Sequence, residues 1–351
     1  MRLFLTAAGL LLMLVASAVT IWWFFIASFG DRQVAAMLDR SAEQGWRISI
    51  AAQERSGFPF TVRLRLQGVR VSHQAREGLL EGDIPEILVE AAALKPRHMR
   101  YTLAEPHSWR WIPAGAGGGT GIGAGAGAGS ARAYTVARAE GVLAPRDDAA
   151  GWLASAALHQ VAWTPGGAQG EGRQGSAERV ALDILVPLDF QTADFAAEVT
   201  GIELPEDTVF GRRIDTAILD GVIAPLPRDA APAALIAWQR AGGKLTVDRS
   251  RIAFGALQAA VDGDLAFDGE MRPLGTMRLR MIEPEAILTI ATTEGWVKHE
   301  QLGYAQIGMG LFSRPNAQGK NELSTRLEMR NGGLWIGPIR LASLPRVVPA
   351  E

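Results

Sequence analysis

Phe60-Thr61-Val62-Arg63-Leu64-Arg65-Leu66-Gln67 decides the fold, because apolar and polar side chains alternate along it without a break. A period of two puts successive side chains on opposite faces of an extended chain, which makes this a strand with one buried and one wet face. Trp46-Arg47-Ile48-Ser49-Ile50 alternates in the same way. Between the two lies Ser56-Gly57-Phe58-Pro59-Phe60, where Gly and Pro specify a turn that carries two aromatic rings. Arg63 and Arg65 share the wet face, and a charged outer surface accounts for them better than a phosphate clamp does.

The same grammar returns toward the carboxyl end. Lys244 to Asp248, Arg251 to Phe254 and Gln258 to Phe267 read as consecutive short strands. Asp268-Gly269 supplies a hairpin-type turn, and Gly275 to Met281 resumes with Met277, Leu279 and Met281 on one side. Leu323, Thr325, Leu327 and Met329 alternate again, and Asn331-Gly332 turns the chain into Leu334-Trp335-Ile336-Gly337-Pro338-Ile339. Four helices are predicted among these strands. Asp31 caps one that carries Val34, Met37 and Leu38 and stops at Gly45. The others cover Asp147 to Leu158, Pro232 to Arg240 before Gly242-Gly243, and a stretch after Pro284 with Ile287, Leu288 and Ile290 on its apolar face. Amphipathic strands joined by short turns predict a meandering antiparallel sheet, and hence an α+β class that is mainly β.

The amino terminus is of another kind. No charged residue occurs from Leu3 to Gly30, a run longer than the roughly 20 apolar residues a helix needs to cross a bilayer. Trp22, Trp23, Phe24, Phe25 and Phe29 cluster toward its outer end, as in an interfacial aromatic belt. A cleaved signal peptide is the competing reading, with Val15-Ala16-Ser17-Ala18 as its small-residue site, but Ile21 to Phe29 continues apolar beyond that point. Arg2 and the free amine precede the run while Asp31 and Arg32 cancel after it, which favours a cytoplasmic amino terminus. The expected organisation is a single-pass transmembrane anchor at residues 1–30 and an exported, periplasm-facing β-rich domain at 31–351, held at the inner (cytoplasmic) membrane. Glycine-rich segments near 115–130 and 166–178 are expected to be flexible loops.

Composition removes much chemistry. The 351 residues carry 35 Lys+Arg against 37 Asp+Glu, a formal charge of −2 that gives no basic footprint for nucleic acid. There are no cysteines, so disulfides, thiolate nucleophiles and Cys-type metal sites are absent. The glycines of the Gly/Ala tract fall mostly on alternate positions, as in Gly121, Gly123 and Gly125, and form no G-x-G-x-x-G. Gly243-Lys244 and Gly319-Lys320 lack the rest of a Walker loop. His73, His98, His107, His159 and His299 show no ligand spacing; His98 and His107, near Arg97 and Arg100 in a segment with Trp109 and Trp111, read as scattered solvated side chains in preference to a membrane or partner surface. Asp262-Gly263-Asp264 begins like a calcium loop, but Ala266 stands at a ligand position. Helix capping accounts for Glu283 and Glu285, and Trp46, Trp296 and Trp335 read most simply as core. No catalytic, cofactor-binding or metal-binding residue is assigned.

Trp46 to Val71, with its Gly57-Phe58-Pro59-Phe60 turn, resembles the opening motif of the bacterial domain-of-unknown-function family 2125. Leu334 to Arg340 followed by Leu344-Pro345 resembles that family's closing strand, and the Gly263-to-Leu279 hairpin with the helix after Pro284 fits it as well. The family is distantly similar to AsmA-type envelope proteins. That resemblance implies a long curved antiparallel sheet, an open half-barrel or groove with a few packing helices, and a role without catalysis that binds or guides lipid. Burying an acyl chain yields about 0.8 kcal/mol per methylene and needs no polar motif. The implied partners are the inner membrane, a phospholipid or other envelope lipid, and envelope assembly proteins. Two alternatives stay open: a structural or assembly partner of the cell envelope without a lipid ligand, and a hydrolase whose site the sequence does not display.

Overall fold

A computed structural model of the chain describes residues 45–75, 78–114, 131–146, 151–164, 174–189, 191–227, 232–293, 313–316, 318–337 and 339–347, with 39, 41, 42, 303 and 310 as single positions. The expected anchor at 1–30, the tract at 115–130, residues 166–173 and most of the helix expected between Asp31 and Gly45 lie outside them. No helix among the described residues is long and apolar enough to cross a membrane. The chain forms two units, Met1–Pro145 with Ala154–Gln174 and Arg146–Leu153 with Gly175–Glu351.

The first unit contains β1 (Trp46–Ser49), β2 (Ala52–Ser56), β3 (Thr61–Ala75), β4 (Gly78–Ala92), β5 (Lys95–Leu103), β6 (His107–Pro113), β7 (Arg132–Pro145) and most of β8 (Gly151–Thr164). Two long strands organise it. β3 pairs with β4 in one antiparallel ladder from Thr61↔Ala92 to Ala75↔Gly78. Short strands then share the flanks: β2 takes the first half of β3 and β1 the second, while β5 and β6 divide β4 and, beyond it, β7 between them.

A crease crosses this unit at one level. Gly68 has φ +59°, and it faces Pro85, so the β3–β4 ladder passes from Gln67↔Glu86 directly to Val69↔Ile84. Pro85 has no N–H to give, and Gly68 adopts a backbone conformation that side chains disfavour. At the same level β2 begins only after Ile50-Ala51, β5 and β6 are separated by residues 104–106, and Ala137 and Arg138 of β7 pair with neither of them. The alternation is reset there. Leu64 and Leu66 are buried before the crease and Val69 after it; Ile84 on β4 and Val136 and Ala139 on β7 show the same three-residue step in their strands' apolar rows. One apolar face therefore continues across the break.

The second unit holds the start of β8 and continues through β9 (Gly175–Pro187), β10 (Ala193–Thr208), β11 (Gly211–Ala224), β12 (Lys244–Phe254), β13 (Leu257–Phe267), β14 (Pro273–Ile282), β15 (Ser313–Pro315), β16 (Asn321–Arg330), β17 (Gly333–Ile336) and β18 (Ile339–Ser343). It is a meander in which β9 to β14 pair in chain order, followed by β14–β16 and then β16–β17–β18, with β15 also on β16. All these pairings are antiparallel. Two helices are described, α1 (Pro232–Arg240) and α2 (Pro284–Thr293), both where the sequence places them. Trp238 of α1 is buried, donates Nε1–H to the Pro225 carbonyl at 2.5 Å and meets Phe267 edge-on at 5.9 Å. It seals α1 against the turn after β11 and the end of β13.

Several expectations need correction. Asp147 to Leu158 is not a helix, because Gly151–Thr164 is strand. Its alanines favour a helix, but pairing in a sheet overrides so weak a local preference. Gly175 to Glu178, assigned to a loop, begin β9. The two short strands around Asp248 are one strand, β12, with an extra residue where Val247↔Gly263 gives way to Ser250↔Val261. Leu334 to Ile339 is two strands separated at Gly337, which has φ +55°. The mainly β, antiparallel class stands.

Candidate functional site

Strand register builds two contrasting faces in the first unit. Ile48↔Val71, Val71↔Gly82, Gly82↔Trp109 and Trp109↔Tyr134 set one row across β1, β3, β4, β6 and β7. Residues in one antiparallel row share a face. This row belongs to the apolar face, where Leu64, Leu66, Val69 and Ile84 form the buried centre. Around them pack Ile48, Ile50, Val71, Ile87, Val89, Leu103 and Trp109, all only partly buried. Gly82 leaves room for the Trp109 indole, since a Cβ there would stand 2.6 Å from its ring. Of the buried hydrophobic side chains described in the whole chain, five are alanines, Ala93, Ala139, Ala144, Ala177 and Ala193. Large apolar groups are therefore mostly half-covered rather than enclosed. Among the described residues of this unit, strands build the whole apolar face; helix is found only at positions 39, 41 and 42.

The opposite face is polar. Ser49↔Arg70, Arg70↔Asp83, Asp83↔Ser108 and Ser108↔Thr135 set one row, and Arg47↔Ser72, Ser72↔Glu81, Glu81↔Arg110 and Arg110↔Ala133 the next. They line a concavity of about 520 Å³. Arg110 stands 3.8 Å from Glu81. A second concavity, of about 630 Å³, lies in the second unit among β12, β13, β14 and β16, with Arg251, Arg280, Lys320 and Glu322 beside Ile252 and Ile282 in its lining. Arg280 is held by Asp262 at 3.1 Å.

The titratable groups singled out in the sequence are scattered. His107 is buried at 4% exposure, against the expectation of a solvated ring. It lies at the start of β6, opposite Val136, and its Nδ1 donates to the Glu105 carbonyl at 3.4 Å. Burial pushes its pKa down, so the neutral ring is favoured, and the Glu105 carbonyl opposes that only in part. His73 stacks on Trp46 with ring centroids 4.4 Å apart, and His159 Nε2 is 3.5 Å from Glu140. His98 is exposed, and His299 and Trp296 lie outside the described residues.

Asp262 and Asp264 serve the sheet rather than an ion. Asp262 accepts from Arg280 and lies near Arg278, while Asp264 is 2.9 Å from Lys244 and accepts from Thr246. The Lys244 ammonium holds the Asp264 carboxyl below its ordinary value. No group of three or more His, Cys, Asp or Glu able to hold a metal occurs among the described residues. Glu283 and Glu285 sit at the start of α2 as expected, Glu285 in its first turn and the Glu283 carbonyl accepting the Ala286 amide. In addition, Lys320 lies 3.0 Å from Glu283 and Asn321 donates to Glu285 at 2.8 Å, which fastens α2 to the start of β16. Trp46 and Trp335 are half-buried instead of core; Trp335 is flanked by Arg330 at 4.5 Å and Arg340 at 6.0 Å.

Among the described residues, long antiparallel strands with few helices define a mainly β protein. The chain belongs to the bacterial family described as "Uncharacterized protein conserved in bacteria (DUF2125)", whose model matches residues 23–345. No curated protein and no solved structure matches it.

Proposed function

We propose that the protein is a membrane-tethered envelope protein, facing the periplasm, whose β-sheet binds or guides lipid along its apolar face without catalysis. The half-covered ring of Ile48, Ile50, Val71, Ile87, Val89, Leu103 and Trp109 around a small buried centre carries this reading. Such a surface gains about 25 cal/mol for each Å² of apolar area it removes from water, and an acyl chain supplies that area without specific polar partners. The uncharged run from Leu3 to Gly30 supports the tether.

The test is photo-crosslinking of the purified full chain with a phospholipid carrying a photoreactive group near the end of its acyl chain, followed by peptide mapping. Crosslinks on residues 46–50, 61–75 and 84–89 are expected, and Ile48→Asp should reduce them. Crosslinks confined to residues 1–30 would overturn lipid binding by the sheet and leave the apolar face to an envelope assembly partner.

A further inference from the structure

One end of the first unit carries large apolar side chains in the open. The turn between β2 and β3 presents Phe58 at 54% and Phe60 at 77% exposure, and the turn between β4 and β5 presents Leu94 at 84%. The two turns are neighbours: Thr61 pairs with Ala92, and the Ala93 amide donates to the Phe60 carbonyl at 2.8 Å. Each is rigidly made. Thr61 donates through both its amide and its hydroxyl to the Gly57 carbonyl, at 2.9 Å each, and Ala93 is buried against Val62. The apolar groups are thus held outward by ordered backbone.

Charge surrounds them. Residues 55–63 and 90–100 contain Arg55, Arg63, Lys95, Arg97 and Arg100 against Glu90 alone, a net +4 in a chain whose total is −2. All five basic residues are exposed. Greasy tips inside a basic collar match the two layers of an anionic bilayer surface, acyl boundary and phosphate headgroups. A second copy of the chain would bring a like charge to the same place and is disfavoured.

We infer that this tip, Phe58, Phe60 and Leu94 within the collar of Lys95, Arg97 and Arg100, docks on and inserts into an anionic lipid surface. The inference is independent of whether the apolar face of the sheet binds lipid.

Because the chain has no cysteine, a single introduced thiol reports on one site. Full-length F60C, L94C and L188C are each labelled with an environment-sensitive fluorophore and reconstituted into vesicles of equimolar phosphatidylglycerol and phosphatidylcholine. Spin-labelled quencher lipid is placed in the same bilayer or, in a parallel sample, in added vesicles of the same composition. Leu188, an exposed apolar residue of the second unit at 56% exposure, is the control. Blue-shifted emission and quenching are expected at positions 60 and 94 in at least one arrangement, but not at 188. Lys95→Gln with Arg97→Gln should weaken the effect roughly thirty-fold, as for the loss of two surface charges. No quenching at 60 and 94 in either arrangement, equal quenching at 188, or a signal unchanged in pure phosphatidylcholine would each overturn the docking; the first of these is also what an acidic protein covering the tip would give.

Discussion

The indole of Trp109 lies directly over Gly82 of the neighbouring strand, in the space a side chain at position 82 would occupy. Gly82 is buried, and a Cβ would sit 2.6 Å from two ring carbons, well inside van der Waals contact. Gly82→Ala should therefore destabilise the protein by about 1–3 kcal/mol through overpacking. Trp109→Leu combined with Gly82→Ala should recover most of that loss. Urea unfolding of the full chain and the double-mutant cycle measure both.

His107 makes stability depend on pH. Burial lowers its folded pKa below the ordinary value near 6.5, so the unfolded chain binds the proton more readily. Its contribution is complete above about pH 6.5 and diminishes as pH falls below that value. Melting temperature should drop between roughly pH 7 and 5, and His107→Gln should flatten that slope. A slope identical in the variant would refute the assignment.

Asp268, Glu270, Arg272 and Arg346 form a network at the β13–β14 turn and the carboxyl-terminal segment, with Arg346 2.7 Å and Arg272 3.4 Å from Glu270, and Arg272 2.8 Å from Asp268. The Arg346 guanidinium lowers the Glu270 pKa. Asp268 is also lowered: burial opposes the shift, but bonds from the Arg272 amide and guanidinium outweigh it. Depressed carboxylates contribute stability above their unfolded pKa values, near 4, and lose it as pH falls through the folded ones. Asp268→Asn should weaken the acid sensitivity of unfolding below about pH 4, with hydrogen exchange near Met271 and Val347 rising first.

Trp335 donates Nε1–H to the Arg330 carbonyl at 3.1 Å while the Arg330 guanidinium covers its ring at 4.5 Å. Trp335→Leu keeps apolar bulk and loses both contacts, for an expected loss of about 1–2 kcal/mol. Arg330→Lys should lose less than half as much, since it keeps the charge and the backbone carbonyl. Thermal unfolding of the two variants separates them.

Where the sequence was legible, period two was the reason. β3, β14 and β16 announce themselves because apolar and polar residues alternate along them, and Asn331-Gly332 marks its turn because both positions need positive φ, here 50° and 63°. β8 was misread because alanine carries no period and its helix preference is small beside sheet pairing. The burial of His107 could not be foreseen, since its cross-strand neighbour Val136 belongs to β7, beyond the Gly/Ala tract in sequence. The apolar face was visible only piecewise: Leu64, Leu66, Val69 and Val71 show a step of three that a search for strict alternation passes over, and its meaning emerges once Gly68 is seen opposite Pro85. The basic collar joins two turns some thirty residues apart, so neither segment declares it alone.

The crease carries a rule about the length of the chain. In an unbroken sheet, adding or removing one residue turns every later side chain to the wrong side. Here the count restarts together in β3, β4 and β7, so the apolar row is carried across the break by the same offset in all three strands. Only the short dislocation through Gly68 and Pro85 must keep its parity: a deletion confined to Gly68 would put Val69 two residues from Leu66, so that β3 alternates without a break while β4 keeps its step of three and the pairs beyond the break fall out of register.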